Sequence, residues 1–202
     1  LNIIPLTYQQ AIENAFQKIE QNMVLSSWKD AFISSNTNLE LGEFIHVPQH
    51  GCYKDTQIIP IKNKNSIENV INNIWNIGGA RGWYYATSLW KLRGYLDKLI
   101  GGVGLRRGKT NENDINSGDA LDFWRVIYAE KEEKRLLLFA EMKTPGEAWL
   151  EFSIIEKKGE FHLKQEATFR PHGLLGRLYW AAMYPFHLLI FHNMAKRIVS
   201  FN

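Results

Sequence analysis

Apolar positions in the first part of the chain recur at helical spacing: Leu6, Ala11, Ile12, Ala15, Phe16 and Ile19 share one face of a helix predicted over Pro5–Met23. Thr7 supplies an N-cap with Gln10 three residues on, and Pro5 prevents an earlier start. The polar run Ser34-Ser35-Asn36-Thr37-Asn38 reads as a loop or linker. A compact domain is expected to begin near residues 50–56, which leaves residues 1–50 as a helical arm and 51–202 as the domain. Thr56–Lys62 reads as a strand. Ser66–Ile77 reads as a helix with Ile67, Val70, Ile71, Ile74 and Trp75 on one face, ended by Gly78-Gly79. Trp83-Tyr84-Tyr85 favours a strand by propensity, and Leu89–Ile100 a second helix stopped by Gly101-Gly102.

Four strands are predicted next, over Ala120–Ala129, Lys134–Lys143, Ala148–Ile155 and Glu160–Arg170. The links between them, at Lys131–Glu133, Pro145-Gly146 and Lys157–Gly159, are too short for crossover helices, so the strands should form an antiparallel meander. A long helix, roughly Leu174–Phe201, closes the chain, and Pro185 should kink or split it. This order of elements is α+β: a curved antiparallel sheet wrapped on a C-terminal helix, often with a cavity between the two. The apolar run of that helix, about 14 residues or some 21 Å, is shorter than a bilayer requires.

Composition narrows the function classes. With 45% hydrophobic and 22% charged residues, the 202-residue chain is an ordinary globular protein. A net charge of +3 is too small to argue for nucleic acid. A single cysteine, Cys52, excludes an internal disulfide and multi-cysteine metal sites, and fits a reducing, cytoplasmic setting. No signal peptide pattern is visible, and the chain opens at Leu1, as a piece of a longer protein would. No Gly-x-Gly-x-x-Gly between strand and helix is present, so this chain is not expected to bind NAD(P).

Period-two alternation sorts the candidate site residues. On the last predicted strand, Gln165 is a lone amide on the face of Phe161, Leu163, Ala167 and Phe169. Arg125 lies on the face of Leu121, Phe123 and Ile127, and Glu141 on that of Leu137 and Phe139. If both charges point inward they must pair or line a wet cavity; otherwise they form an ion pair on the solvent face, and a one-residue slip in register reverses the answer. His187 sits in the apolar part of the last helix, bonded within the core or facing the cavity. His187 and His192 are five apart, and His46 and His50 flank Pro48, so neither pair has metal-ligand spacing and no metal is predicted. Trp83, Tyr85, Trp124 and Trp149 are candidate cavity walls. Arg106 and Arg107, in Gly101–Gly108, mimic an anion cradle but follow a helix rather than a strand. There is no nucleophile elbow; Cys52 follows His50 without showing that the two meet in space. Among the acidic groups Asp119, Asp122, Glu141 and Glu151, nothing selects a proton donor or acceptor.

Several ordered motifs resemble one family of uncharacterised bacterial domains: Gly82-Trp83-Tyr84-Tyr85, Leu92-Arg93-Gly94, Gly101-Gly102-Val103-Gly104-Leu105-Arg106-Arg107-Gly108, Gly118-Asp119-Ala120-Leu121-Asp122-Phe123-Trp124-Arg125-Val126, Ala140-Glu141-Met142-Lys143, Ala148-Trp149-Leu150-Glu151-Phe152, Gly176-Arg177-Leu178-Tyr179-Trp180 and Pro185-Phe186-His187. The set spans about residues 56–200 and resembles the domain of unknown function found C-terminal to NmrA-like atypical short-chain dehydrogenases, of the START-like (helix-grip, SRPBCC) superfamily. Residues 1–50 resemble the end of a dehydrogenase part, notably Pro5-Leu6-Thr7-Tyr8 and Ser26-Ser27-Trp28-Lys29-Asp30-Ala31. The resemblance implies a helix-grip fold and an accessory domain, with NAD(P) only on an upstream domain. The expected function is a binding module for a small, largely apolar ligand. Two alternatives remain: a cyclase- or hydratase-type enzyme using a cavity carboxylate or His187, and a ligand-free docking or dimerisation module.

Overall fold

The computed structural model describes residues 46–62, 66–78, 81–102, 104, 109 and 114–201. The helix predicted over Pro5–Met23, the linker at 34–38, most of the arm, and Arg106 and Arg107 lie outside the described residues.

The elements in chain order are β1 (Tyr53–Pro60), α1 (Ser66–Trp75), α2 (Thr87–Leu99), β2 (Ala120–Leu121), β3 (Trp124–Glu130), β4 (Arg135–Ala140), β5 (Gly146–Lys157), β6 (Glu160–Pro171) and α3 (Gly173–Ser200). The six strands form one antiparallel sheet in the order β1-β6-β5-β4-β3-β2. The meander runs from β2 to β6, as the short links require, and β1 joins its far edge on β6. Lys158 and Gly159, with φ of 52° and 80°, turn β5 into β6 in two residues; the left-handed backbone matches the twist of the flanking strands. With α3 packed against β6 and β1, this is an α+β, helix-grip arrangement.

Two expectations are corrected. Trp83-Tyr84-Tyr85 is a turn, not a strand: Tyr84 and Ala86 adopt φ of 58° and 53°, and Tyr85 N–H donates to Trp83 O at 2.7 Å. Burial of Trp83 and Tyr84 in the core outweighs their strand propensity. The strand predicted over Ala120–Ala129 breaks in two, because Asp122 takes φ 54° and folds Leu121 back beside Trp124. The last helix does not split: it runs through Pro185 as one element, although the ring removes the N–H that Ala181 O would accept.

The core lies between the sheet and the helices. Leu138, Leu150, Phe152 and Leu163 from the sheet meet Val70 and Ile74 of α1 and Met194, Ala195 and Ile198 of α3. On α1 the inward positions Val70, Asn73 and Ile74 follow helical spacing. Asn73 Nδ2 donates to Ile198 O (2.9 Å) and Phe201 O (2.8 Å), satisfying carbonyls that the end of α3 leaves without helical partners. At the other end of α3, a Cβ on Gly176 would collide with Pro145 O and Pro171 Cα, so only glycine lets that helix sit directly on the sheet rim.

Opposite the core, the sheet's second face carries a smaller apolar cluster, Ile127, Leu137, Phe139 and Trp149. It also carries a surface network: Glu166 accepts from Lys164 (3.0 Å), Thr56 (3.0 Å) and Lys54 (3.4 Å), and Arg135 donates to Glu151 at 2.9 Å. Burial alone would raise the Glu166 carboxyl, but these partners hold it below its ordinary value.

Candidate functional site

A cavity of about 230 Å³ lies between the inner face of the sheet and helices α2 and α3. Its floor is Trp124, Met142, Ala148, Ala167 and Phe169, the inward positions of the sheet. Tyr179, Trp180, Met183, His187, Ile190 and Phe191 of α3 form one wall, and Leu89, Trp90, Arg93 and Leu96 of α2 the other. Leu92, Leu96 and Phe186 also line it yet are about half exposed (52%, 48% and 50%), which puts the mouth between the two helices.

One end of the cavity is a stack of aromatic rings. Trp83 lies 4.9 Å from Trp90 and 6.3 Å from Trp124, with Phe123 6.0 Å from Trp90. Trp83 spends its N–H on Asp122 Oδ2 at 2.8 Å. Burial raises the Asp122 carboxyl above its ordinary value, against the pull of that hydrogen bond and of Lys91. The indole nitrogens of Trp90 and Trp124 are buried and make no hydrogen bond among the described residues. They are donors only, on two rings that line the cavity.

A polar row crosses the sheet beside the cavity. Asp55, Gln57 and Gln165 all face α3: the register sets Gln57 opposite Gln165 and Asp55 opposite Ala167. The amide oxygen of Gln57 can only accept, so His192 Nδ1–H donates to it at 3.0 Å, while Gln57 Nε2 donates to Asp55 Oδ1 at 2.6 Å. Asp55 Oδ2, both amide atoms of Gln165 and His187 Nδ1 are buried without a hydrogen bond among the described residues. Such groups cost roughly 1–3 kcal/mol each when left unsatisfied, so their concentration beside one cavity marks it as more than packing.

His187 stands edge-on to Trp180 (4.9 Å) and beside Phe191 (4.7 Å). Desolvation lowers its pKa to about 4 despite the field of Asp55, so the ring is neutral at pH 7. An unfolded histidine titrates near 6.5, so between about pH 6.5 and 4 the unfolded chain binds the extra proton. Stability is therefore intact above pH 6.5 and falls toward pH 4, by on the order of 2–3 kcal/mol. In His187→Gln this part of the acid loss disappears; urea midpoints at pH 7 and pH 4.5 for both proteins measure it.

The sequence candidates divide between three places. Trp124 and His187 line the cavity, and Gln165 lies two residues from Ala167 on the same face. Trp149 borders the cavity, but its ring packs with Phe139 (5.4 Å) in the cluster on the opposite face. Trp83 backs the aromatic stack, and Tyr85 sits under Arg197 at 5.4 Å; neither lines the cavity.

Arg125 pairs in register with Phe139, on the face away from α3, and Glu141 follows on that side. Their side chains are fully buried and joined at 3.1 Å, and Arg125 Nη1 donates to Gly118 O at 2.8 Å. The pair lies outside the cavity, on the sheet's outer face as an ion pair, but buried there rather than exposed to solvent. Burial raises the Cys52 thiol above its ordinary value, against the pull of Arg170 and Lys54, which disfavours the thiolate. Among the described residues no three His, Cys, Asp or Glu side chains converge as a metal site, and no helix is long and apolar enough to cross a membrane.

Sequence reasoning missed Asp55, Gln57, His192, Trp90 and Arg93. The alternation Tyr53-x-Asp55-x-Gln57-x-Ile59 carried a signal for the first two, hidden by starting that strand at Thr56.

Comparison with known proteins gives one extensive match: the family described as "Protein of unknown function (DUF2867)" covers residues 49–194. No curated protein matches. Among solved structures, CalU16 from Micromonospora echinospora is similar at 10% identity, over 74% of this chain and 83% of that one, with a TM-score of 0.25, too low to bear on fold or function.

Proposed function

We propose that this chain, which belongs to the DUF2867 family of proteins of unknown function, is a binding module for a small, largely apolar molecule held between the sheet and helices α2 and α3. The observation that carries the reading is the cavity itself: apolar walls, with buried polar atoms at Trp90, Trp124 and His187 that have no partner within the described chain. Binding sites of this kind combine apolar lining with a few polar groups that set orientation. Native and denaturing mass spectra of the purified chain test it: an added mass of a few hundred daltons, lost on denaturation, is expected. Ala167→Phe fills the floor and should abolish that mass while the far-UV spectrum is unchanged. An added mass that persists in Ala167→Phe would place binding elsewhere.

The finer role, an accessory domain of an NmrA-like dehydrogenase-related protein, rests on the resemblance of residues 1–50 to the end of a dehydrogenase part. It predicts that NAD(P) leaves the tryptophan fluorescence of this chain unchanged. An enzymatic reading is favoured by one feature, a cavity-lining His187 that burial keeps neutral within the electrostatic reach of Asp55. It predicts that the bound compound changes mass during incubation with the wild type and not with His187→Gln.

A further inference from the structure

Among the described residues that line the cavity, Arg93 alone carries a charge, and it stands at the mouth beside the half-exposed Leu92 and Leu96. The guanidinium is half-buried, lies 6.0 Å over the Tyr179 ring and donates one hydrogen bond, Nη2 to Tyr179 Oη at 3.3 Å. It has no carboxylate partner among the described residues. Arg125, Arg135 and Arg170, by contrast, are each paired with a glutamate.

A guanidinium holds five N–H donors in a planar fork whose spacing matches the two oxygens of a carboxylate, and a phenol occupies only one of them. The surroundings add to the positive potential rather than cancel it. Lys91 and Lys98 are exposed on the same helix, and the one acidic residue of α2, Asp97, is buried and bonded to backbone N–H groups of Gly104 and Lys143. An apolar interior with an unpaired fork at its entrance suits a molecule that is apolar at one end and anionic at the other.

We propose that the ligand is an amphipathic monocarboxylate, an aliphatic or aromatic acid, whose tail fills the cavity and whose carboxylate is held bidentately by Arg93. This deepens the binding reading above and rests on it.

Displacement of Nile red from the full chain by octanoate and by octan-1-ol, at pH 8 and about 150 mM salt, separates the two. Octanoate should bind at least tenfold more tightly than octanol. Arg93→Gln should remove that difference and leave octanol unchanged. Lys91→Gln, on the same helix but outside the lining, should shift octanoate less than twofold, because an exposed charge is screened at this salt. Equal affinities for the two ligands in the wild type would overturn the carboxylate proposal and keep the cavity reading, whereas displacement by neither would overturn the cavity reading. Loss of octanol binding in Arg93→Gln with an unchanged melting temperature would also overturn the proposal, since Arg93 would then shape the mouth without reading charge.

Discussion

Glu141→Leu should lower the free energy of unfolding by about 3–5 kcal/mol, because it takes the Glu141 carboxylate away from a fully buried Arg125 guanidinium. Both side chains are fully buried, and two guanidinium nitrogens lie 3.1 Å from the same Glu141 oxygen. Desolvating two ions costs several kcal/mol each, and that cost is offset only while both are present. The loss is large against the 5–15 kcal/mol typical of a whole domain. Arg125→Met combined with Glu141→Leu should recover most of it, since an apolar pair of similar volume has no charge to desolvate. Urea denaturation of the wild type, both single variants and the double variant gives the coupling energy directly. A coupling below about 0.5 kcal/mol would mean that water reaches the pair, contrary to its burial. The cycle also separates structure from chemistry: ligand binding by the folded double variant should be unchanged, since neither residue lines the cavity.

Asp97→Ala should cost about 3 kcal/mol or more. The buried carboxylate at the end of α2 accepts backbone N–H groups from the turn that follows the helix, Gly104 at 2.8 Å, and from a distant segment, Lys143 at 2.7 Å. Hydrogen bonds to a charged group contribute roughly 1.5–3 kcal/mol each, and alanine would leave both donors without an acceptor. Asp97→Asn keeps one acceptor oxygen and should lose about half as much. The clamp is also closed sterically, because a Cβ on Gly102 would fall directly on the Asp97 carboxylate oxygens. Gly102→Ala should therefore destabilise the same contact, and less in the Asp97→Ala background than in the wild type. Urea midpoints measure the cost, and faster exchange of the Lys143 amide would localise it. Since Lys143 follows the cavity-lining Met142 and α2 carries the opposite wall, loosening this clamp should also weaken ligand binding.

The fold was legible because its signals are local. Short links after Glu130, at Pro145-Gly146 and at Lys158-Gly159 leave no room for crossover helices, so an antiparallel meander follows from loop length. Helical spacing located α1, α2 and α3 to within a few residues. Local signals failed where burial decided. Trp83 and Tyr84 have strand propensity but sit in a turn that delivers their rings to the core, and Asp122 breaks a strand through a backbone angle that no hydrophobic pattern reveals.

The candidate site was legible in part, for a related reason. His187, Trp124 and Gln165 stand out as polar or aromatic interruptions of an apolar face, which period and composition can show. Arg125 and Glu141 read as a pair, but their face depended on register: position 125 lies opposite 139, and the sheet also shifts register between Val126 and Tyr128. Arg93 was invisible as a site residue, since one arginine on an amphipathic helix looks like any solvated charge.

By itself the sequence determined the three described helices, the antiparallel order of the strands and the apolar character of their inner faces, because these depend on spacings of two to four residues and on the length of the links. Only the tertiary structure decided which face Arg125 and Glu141 occupy, that Asp55 and Gln57 join Gln165 beside His187, and that Arg93 stands unpaired at the mouth of a cavity. Those relations join residues from 16 to 135 positions apart, and their energies arise from desolvation and pairing in three dimensions rather than from any periodicity along the chain.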